Sequence, residues 1–175
     1  MKQWWGTGTP GEITALPWLH PEVTRYLESL LHPEDRVYEH GSGGSTLWLA
    51  SRVWFVISIE SDPAWYERLS RMALTNVLML RDDPCIPECV VGGYDLMLID
   101  GEPVERRGMF LKAAAGMVKP GGWVVLDNAN RPEYEEERFE FICNHAEFYV
   151  MFEMNMVGQS KYLVTEFYKM RGGGE

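Results

Sequence analysis

Cysteine is scarce: Cys85, Cys89 and Cys143 are the only 3 in 175 residues. So odd and sparse a set does not make the disulfide framework of a small secreted module, and no second Cys or His pair joins Cys85 and Cys89 to complete a tetrahedral metal site. Ordinary thiols in a reducing compartment are expected. Long apolar runs are missing as well. No stretch approaches the ~20 apolar residues that cross a bilayer, and the opening MKQWWGTGTPGE lacks a signal-peptide core. These absences lead to the expectation of a soluble, cytoplasmic protein with no membrane partner. Basic residues are the third shortage. Against 26 Asp and Glu there are 16 Lys and Arg, a formal charge of -10 that repels a phosphate backbone and argues against nucleic acid as a partner.

Apolar residues, by contrast, are plentiful. The composition is 46% hydrophobic and 13% aromatic, with 7 Trp, enough for one well-buried core in a chain close to the size of one domain. Three segments are expected: an N-terminal arm and helix over 1–34, a main domain over 35–170, and a flexible tail over 171–175. Trp4, Trp5 and Trp18 stand among Gly and Pro in the arm, which is expected to pack on the body and offers a surface for a homo-oligomer. Val23, Tyr26, Leu27 and Leu30 then recur at helical spacing after Pro21.

From Arg36 onward, short β-rich runs alternate with helical stretches, the pattern of βαβ units and a parallel sheet buried on both faces. Strands are expected at 37–39, 53–60, 77–81, 95–100 and 123–127, and an antiparallel pair at 148–154 and 162–168. Asp62 and Pro63 open one intervening helix, with Trp65, Leu69 and Met72 on one side. Phe110, Ala113, Ala114 and Met117 mark another, stopped by Lys119-Pro120-Gly121. A charged helix over 133–145 carries Phe139, Ile142 and Cys143 as its expected buried stripe.

The segment Glu39-His40-Gly41-Ser42-Gly43-Gly44-Ser45-Thr46 falls where the first strand gives way to the first helix of the sheet, a place where glycines let a ligand approach the backbone. A dinucleotide fingerprint needs a third glycine at position 46, and Thr46 stands there, which disfavours a nicotinamide oxidoreductase. An acidic residue followed by Gly at +2 and +4 instead resembles motif I of the class I S-adenosylmethionine (SAM)-dependent methyltransferases. The resemblance runs on through YDLMLIDG and KPGGWVVLDN, and covers residues 36–130. EHGSGGSTLWLA is also similar to bacterial and phage methyltransferase-like proteins of undefined substrate.

That resemblance implies an α/β, Rossmann-like, doubly wound and mostly parallel seven-stranded sheet with an antiparallel C-terminal strand. It implies a SAM site in which Glu39, Gly41, Ser42, Gly43 and Ser45 hold the methionine part. Glu60 and Ser61 lie at the ribose, Asp82 or Asp83 at the adenine, and Asp100 near the reacting methyl. The activity implied is methyl transfer, and the charge of -10 together with the missing base-methylation motif leads to the expectation of a small-molecule acceptor, at oxygen rather than nitrogen. No Asn-Pro-Pro-Tyr or Asp-Pro-Pro-Tyr segment for base methylation follows the fourth strand.

Asp100, then Asp127-Asn128, resembles the Mg²⁺ ligands of catechol and caffeoyl-CoA O-methyltransferases, although the catalytic Lys of those enzymes, three residues after the first Asp, is Pro103 here. Two readings therefore stand side by side. In one the three residues hold Mg²⁺; in the other Asp100 and Asp127 cap loops, Asn128 makes a turn, and Asp100 is the general base. His40 is read either as lining the cofactor pocket or as packed beside the loop. A catalytically inactive SAM-binding or assembly module is the competing function, favoured by the missing Lys and the compact size.

Overall fold

A computed structural model of the chain describes residues 13–81, 92–155 and 162–173. Asp82, Asp83, Cys85 and Cys89 lie outside the described residues, as do Trp4 and Trp5. Helix α1 (Pro21–Leu30) starts where Pro21 presets the first helical φ and the His20 imidazole accepts the Glu22 N–H at 3.2 Å. Val23 and Leu27, one turn apart, are fully buried.

Seven strands form one sheet in the order β3-β2-β1-β4-β5-β7-β6. Strands β1 (Arg36–His40), β2 (Phe55–Glu60), β3 (Val77–Arg81), β4 (Tyr94–Ile99) and β5 (Val118–Leu126) are mutually parallel. Strand β7 (Tyr162–Met170) runs antiparallel to β5, and β6 (Ala146–Asn155) pairs antiparallel with β7 at the edge. The expected sheet, mostly parallel with one reversed C-terminal strand, is therefore what the chain forms. Helices α2 (Gly44–Ala50), α3 (Pro63–Ser70), α4 (Arg106–Met117) and α5 (Glu135–His145) flank it.

Both faces of the sheet are covered. Val37, Leu96, Leu98 and Val125 pack with Leu27, Trp48 and Leu49 on one side, while Tyr38, Met97, Ile99 and Val124 pack with Phe110, Ala114 and Phe141 on the other. Successive side chains of a strand point to opposite faces, so burial on both sides demands an unbroken apolar run such as Leu96-Met97-Leu98-Ile99. From β1 the chain moves outward through β2 and β3, then returns to lay β4 on the other flank of β1. That reversal opens a crevice beyond the C-terminal ends of β1 and β4.

Three expectations change. Of the expected inward stripe of α5 only Ile142 packs on the core, half-buried; Phe139 is 69% exposed and Cys143 is exposed, and Phe141 is buried in their place. A charged residue sets the true face, because the Arg138 Nε donates to buried Glu166 at 2.6 Å, and Tyr168 donates its hydroxyl to the same carboxylate. Counting apolar residues alone misplaces such a helix by about one position. Met72, expected on the packed side of α3, is 44% exposed, while Leu69 is buried. The strand after α4 starts at Val118 and not at 123, so Lys119-Pro120-Gly121, which follow the end of the helix as expected, lie inside β5. The helix passes straight into β5 at Val118, and the extra residues are taken up where the register against β4 shifts between Tyr94 and Leu96, with Gly121 at φ 73°.

Candidate active site

Strand β1 delivers Glu39 and His40 to the crevice, and the chain then bends sharply at Gly41, whose φ is 98°. A Cβ on Gly41 would stand 2.5 Å from the Gly101 Cα, so only glycine lets the β1 and β4 ends approach this closely. The loop is tied down by its own backbone donors. Gly41 N–H donates to Ile59 O at 2.9 Å, Ser42 N–H to Glu60 Oε2 at 3.0 Å, and Gly43 N–H to Thr46 Oγ1 at 2.9 Å. Gly43 itself has open space on the side a Cβ would occupy.

Behind the loop lies a buried acid. Glu39 is 0% exposed, and one carboxylate oxygen, Oε2, accepts Thr46 Oγ1 at 2.6 Å and the Ser58 hydroxyl. Ser58 faces Glu39 directly in the parallel register, and its hydroxyl also meets Ser42 Oγ at 2.6 Å. The second oxygen, Oε1, is buried and makes no hydrogen bond of good geometry, although the Ser45 hydroxyl is near enough to favour its charge. Burial dominates, and the Glu39 pKa rises from 4.5 to about 7 against the pull of Ser45, Ser58 and Thr46. A buried acceptor left open beside a glycine loop is the kind of group a cationic ligand satisfies.

A cavity of about 570 Å³ spans the ends of β2, β1, β4 and β5, lined by Gly41 to Ser45, Glu60, Ser61, Asp100, Asp127 and Asn128 among others. Every residue expected at the cofactor is therefore at or directly behind this cavity, except Asp82 and Asp83, which fall outside the described residues. Glu60 is held by the Asp62 N–H at 2.7 Å as well as by Ser42, and burial raises its pKa. At one rim Trp18 meets Trp65 edge to face, with ring centroids 6.0 Å apart. The arm reaches this rim because Gly44 has no side chain: a Cβ there would be 2.2 Å from the Leu16 carbonyl oxygen.

His40 is packed, not presented. Its ring stacks on Phe110 at 3.7 Å, and burial, aided by Arg107 and Arg106, lowers its pKa to about 3, so the imidazole is neutral. Asp100, Asp127 and Asn128 do converge, but around a side chain of the protein. Arg107, 2% exposed, donates from Nη2 to Asp100 O at 2.7 Å and Asp100 Oδ1 at 3.2 Å. From Nη1 it donates to Asp127 O at 2.7 Å, with Asn128 Oδ1 at 3.5 Å. Asp127 is further occupied by the Thr165 hydroxyl at 2.6 Å and the Asn128 amide at 2.9 Å. Asn128 has φ 54°, the left-handed turn geometry that Asn tolerates. These residues do not fit a divalent cation: a guanidinium stands among the donors, and no group of three or more His, Cys, Asp or Glu suited to a metal occurs among the described residues. Burial and the neighbouring Asp127 hold the Asp100 carboxyl well above its ordinary range, with Arg107 opposing.

Sequence reasoning did not foresee the parts played by Ser58, Thr165 and Arg107. A lone serine inside the apolar strand FVISIE was the available signal for Ser58. Arg107 follows the fourth strand, which marks it as a residue that could pair with an acceptor's carboxylate or phosphate but not as a clamp on Asp100 and Asp127. Nothing local marks Thr165, and the shared partner Asp127 lies 38 residues before Thr165 and 20 after Arg107.

No family model and no curated protein matches the sequence. Solved structures do match the fold. The precorrin 8w decarboxylase of Methanobacterium thermoautotrophicum is similar at a TM-score of 0.66 and 21% identity, over 87% of this chain and 91% of that one. An rRNA methylase from Streptococcus thermophilus aligns at a TM-score of 0.63 and 13% identity, over 86% and 95% of the two chains. The O-methyltransferase TomG of Streptomyces achromogenes, solved in complex with SAM, aligns at 0.65 and 17%, over 88% and 82%. The fold is that of the class I SAM-dependent methyltransferases. Those three proteins are a decarboxylase, an rRNA methylase and an O-methyltransferase, so within this fold the acceptor must be argued from the site.

Proposed function

We propose that the chain binds SAM in the crevice and catalyses methyl transfer to the oxygen of a small-molecule acceptor. The observation that carries the proposal is the open Glu39 Oε1, a fully buried carboxylate oxygen set behind Gly41 to Gly43 at the topological switch of the sheet. Glu39 would take the amino group of the methionine part, directly or through water. The carboxylate of Glu60 would take the ribose hydroxyls through lone pairs its two backbone bonds leave free, and Trp65 and Trp18 would cover the rim.

When bound, SAM supplies a methyl group activated by a positive sulfur, which leaves as a neutral thioether with the bonding electron pair. Asp100, part-exposed at the end of β4, accepts the proton of an acceptor hydroxyl as its oxygen takes the methyl group. A carboxyl whose pKa is raised by burial and by Asp127 is, when ionised, a stronger base than an ordinary aspartate, and Arg107 fixes where it sits. Alignment does the remainder, since an in-line displacement at a methyl needs orientation more than covalent help. An acidic rim with Glu60, Asp62 and Glu102 suits a small acceptor in preference to a polyphosphate strand.

Equilibrium titration tests the cofactor: S-adenosylhomocysteine and SAM are expected to bind tighter than NAD, and equal or reversed affinities would refute it. Labelled methyl groups offered with metabolite fractions test the transfer. Asp100→Ala is expected to abolish labelling and leave cofactor affinity in place. Cofactor binding with no acceptor labelled by the unaltered protein would favour the non-catalytic binding module instead.

A further inference from the structure

Among the described residues Arg107 heads the fully buried side chains by size, and the use made of its charge is unusual. Its guanidinium meets the main-chain carbonyls of Asp100, Gly101 and Asp127 at 2.7, 2.8 and 2.7 Å, the Asp100 carboxylate at 3.2 Å and the Asn128 amide oxygen at 3.5 Å, with the exposed Glu102 carboxylate at 3.9 Å. Three carbonyls, a carboxylate and an amide oxygen gathered from the ends of two strands form the donor set that hard cations choose. The next residue, Gly108, packs closely: a Cβ there would lie 3.1 Å from Tyr134 and Glu137 of the neighbouring helix segment.

We infer that Arg107 is the built-in cation of this centre, occupying the place between Asp100, Asp127 and Asn128 that a divalent ion would need and positioning the Asp100 carboxyl in its stead. The role of Asp100 in transfer rests on the function proposed above; the cation-for-metal exchange does not. A planar guanidinium serves the carbonyls with donors in a fixed fork, which a lysine ammonium matches in charge but not in geometry. Two carboxylates that would repel one another when both ionised are thereby kept together without an ion from solution. The substrate oxygen then meets a fixed carboxylate at this centre, not a metal, and vicinal-diol chelation is not the mode of recognition.

Manganese(II) is the probe, followed by its electron paramagnetic resonance signal in the protein without cofactor or acceptor. The unaltered protein is expected to leave Mn²⁺ free at millimolar concentration. Arg107→Ala is expected to gain one site, at least about tenfold tighter than any in the unaltered protein, because the oxygen cage is vacated while its donors remain. Adding Asp100→Asn to Arg107→Ala is expected to remove that site, and Arg107→Lys, which keeps a cation there, to show none. A purely structural clamp would lower the melting temperature in both Arg107 variants but would not create an Asp100-dependent manganese signal in only one. Mn²⁺ bound by the unaltered protein and lost in Asp100→Asn would overturn the inference, as would an Arg107→Ala protein that folds and binds no more Mn²⁺ than its parent. Should Arg107→Ala fail to fold, Arg107→Lys decides, since an Asp100-dependent manganese site in that variant also overturns it. Failure of cofactor binding would show in the S-adenosylhomocysteine titration and leave all these measurements readable.

Discussion

Replacing Glu39 by glutamine removes the charge that the fold buries while keeping the side chain's size. A rise from 4.5 to about 7 corresponds to roughly 3 kcal/mol at about 1.4 kcal/mol per unit. The sign follows from proton counting. Between those two values the folded state holds the proton more tightly than the unfolded chain, so stability falls as pH rises through the window and levels off above it. An amide does not titrate, so the stability of Glu39→Gln relative to the parent should climb by about 3 kcal/mol from pH ~4.5 to pH ~8, or ~6–12 °C in melting temperature for a chain of this size. Groups not coupled to Glu39 cancel in that difference, and burial is the largest cause of the Glu39 shift. Cofactor affinity should move the opposite way: the amide would turn an N–H₂ toward a ligand ammonium, and loss of a charged hydrogen bond costs about 10- to 100-fold. In the parent, affinity for S-adenosylhomocysteine should rise with pH by up to about tenfold per unit until Glu39 is ionised. Parallel thermal melts and calorimetric titrations at several pH values measure both effects. A stability difference that is flat with pH would refute the burial argument, and unchanged affinity would remove Glu39 from the binding site.

Two further substitutions probe the loop. Gly41→Ala forces a Cβ to within 2.5 Å of the Gly101 backbone at a residue with φ 98°, and should cost at least about 2 kcal/mol with loss of cofactor binding; a melting temperature indistinguishable from the parent's would contradict the close approach. Thr46→Gly restores the third glycine of a dinucleotide fingerprint yet deletes the hydroxyl that bridges Gly43 and Glu39, so it should destabilise by about 2 kcal/mol and confer no NAD binding; measurable NAD affinity in a calorimetric titration would show that residue 46 alone sets the preference.

The parallel strands were legible because burial on both faces writes an apolar run into the sequence, and runs such as Tyr94 to Ile99 cannot be amphipathic helix. The α3 start was legible because its signal is local: Asp62 Oδ1 accepts the Ala64 and Trp65 N–H groups at 2.8 Å, and Pro63 follows the cap. The turn at Gly41 was legible for the same reason. What escaped depends on partners far along the chain. Arg138 faces inward because Glu166 lies opposite it, and the Asp100, Asp127, Asn128 set converges without forming an ion site because Arg107 fills it. Motif spacing predicts where strand ends meet; it does not say which neighbouring side chain gets there first.

Position 46 is one of several acceptors that together set the ligand class. Dinucleotide sites need loop N–H groups free to cradle a pyrophosphate at the start of the following helix. Here Gly41, Ser42 and Gly43 each spend that donor within the protein, on Ile59 O, Glu60 Oε2 and Thr46 Oγ1. Of those acceptors, Glu60 is itself acidic and Thr46 is hydrogen-bonded to the acidic Glu39. The side of the loop that welcomes phosphate in a dinucleotide site is therefore lined with carboxylate, and phosphate would meet like charge in place of donors. A ligand carrying an ammonium and a sulfonium meets attraction in the same place, from an open buried oxygen on one side and two acidic strand ends on the other. The glycines shape the loop for either ligand; Thr46 takes the Gly43 donor while Ile59 O and Glu60 take the other two, so losing Thr46 alone would not restore a phosphate cradle.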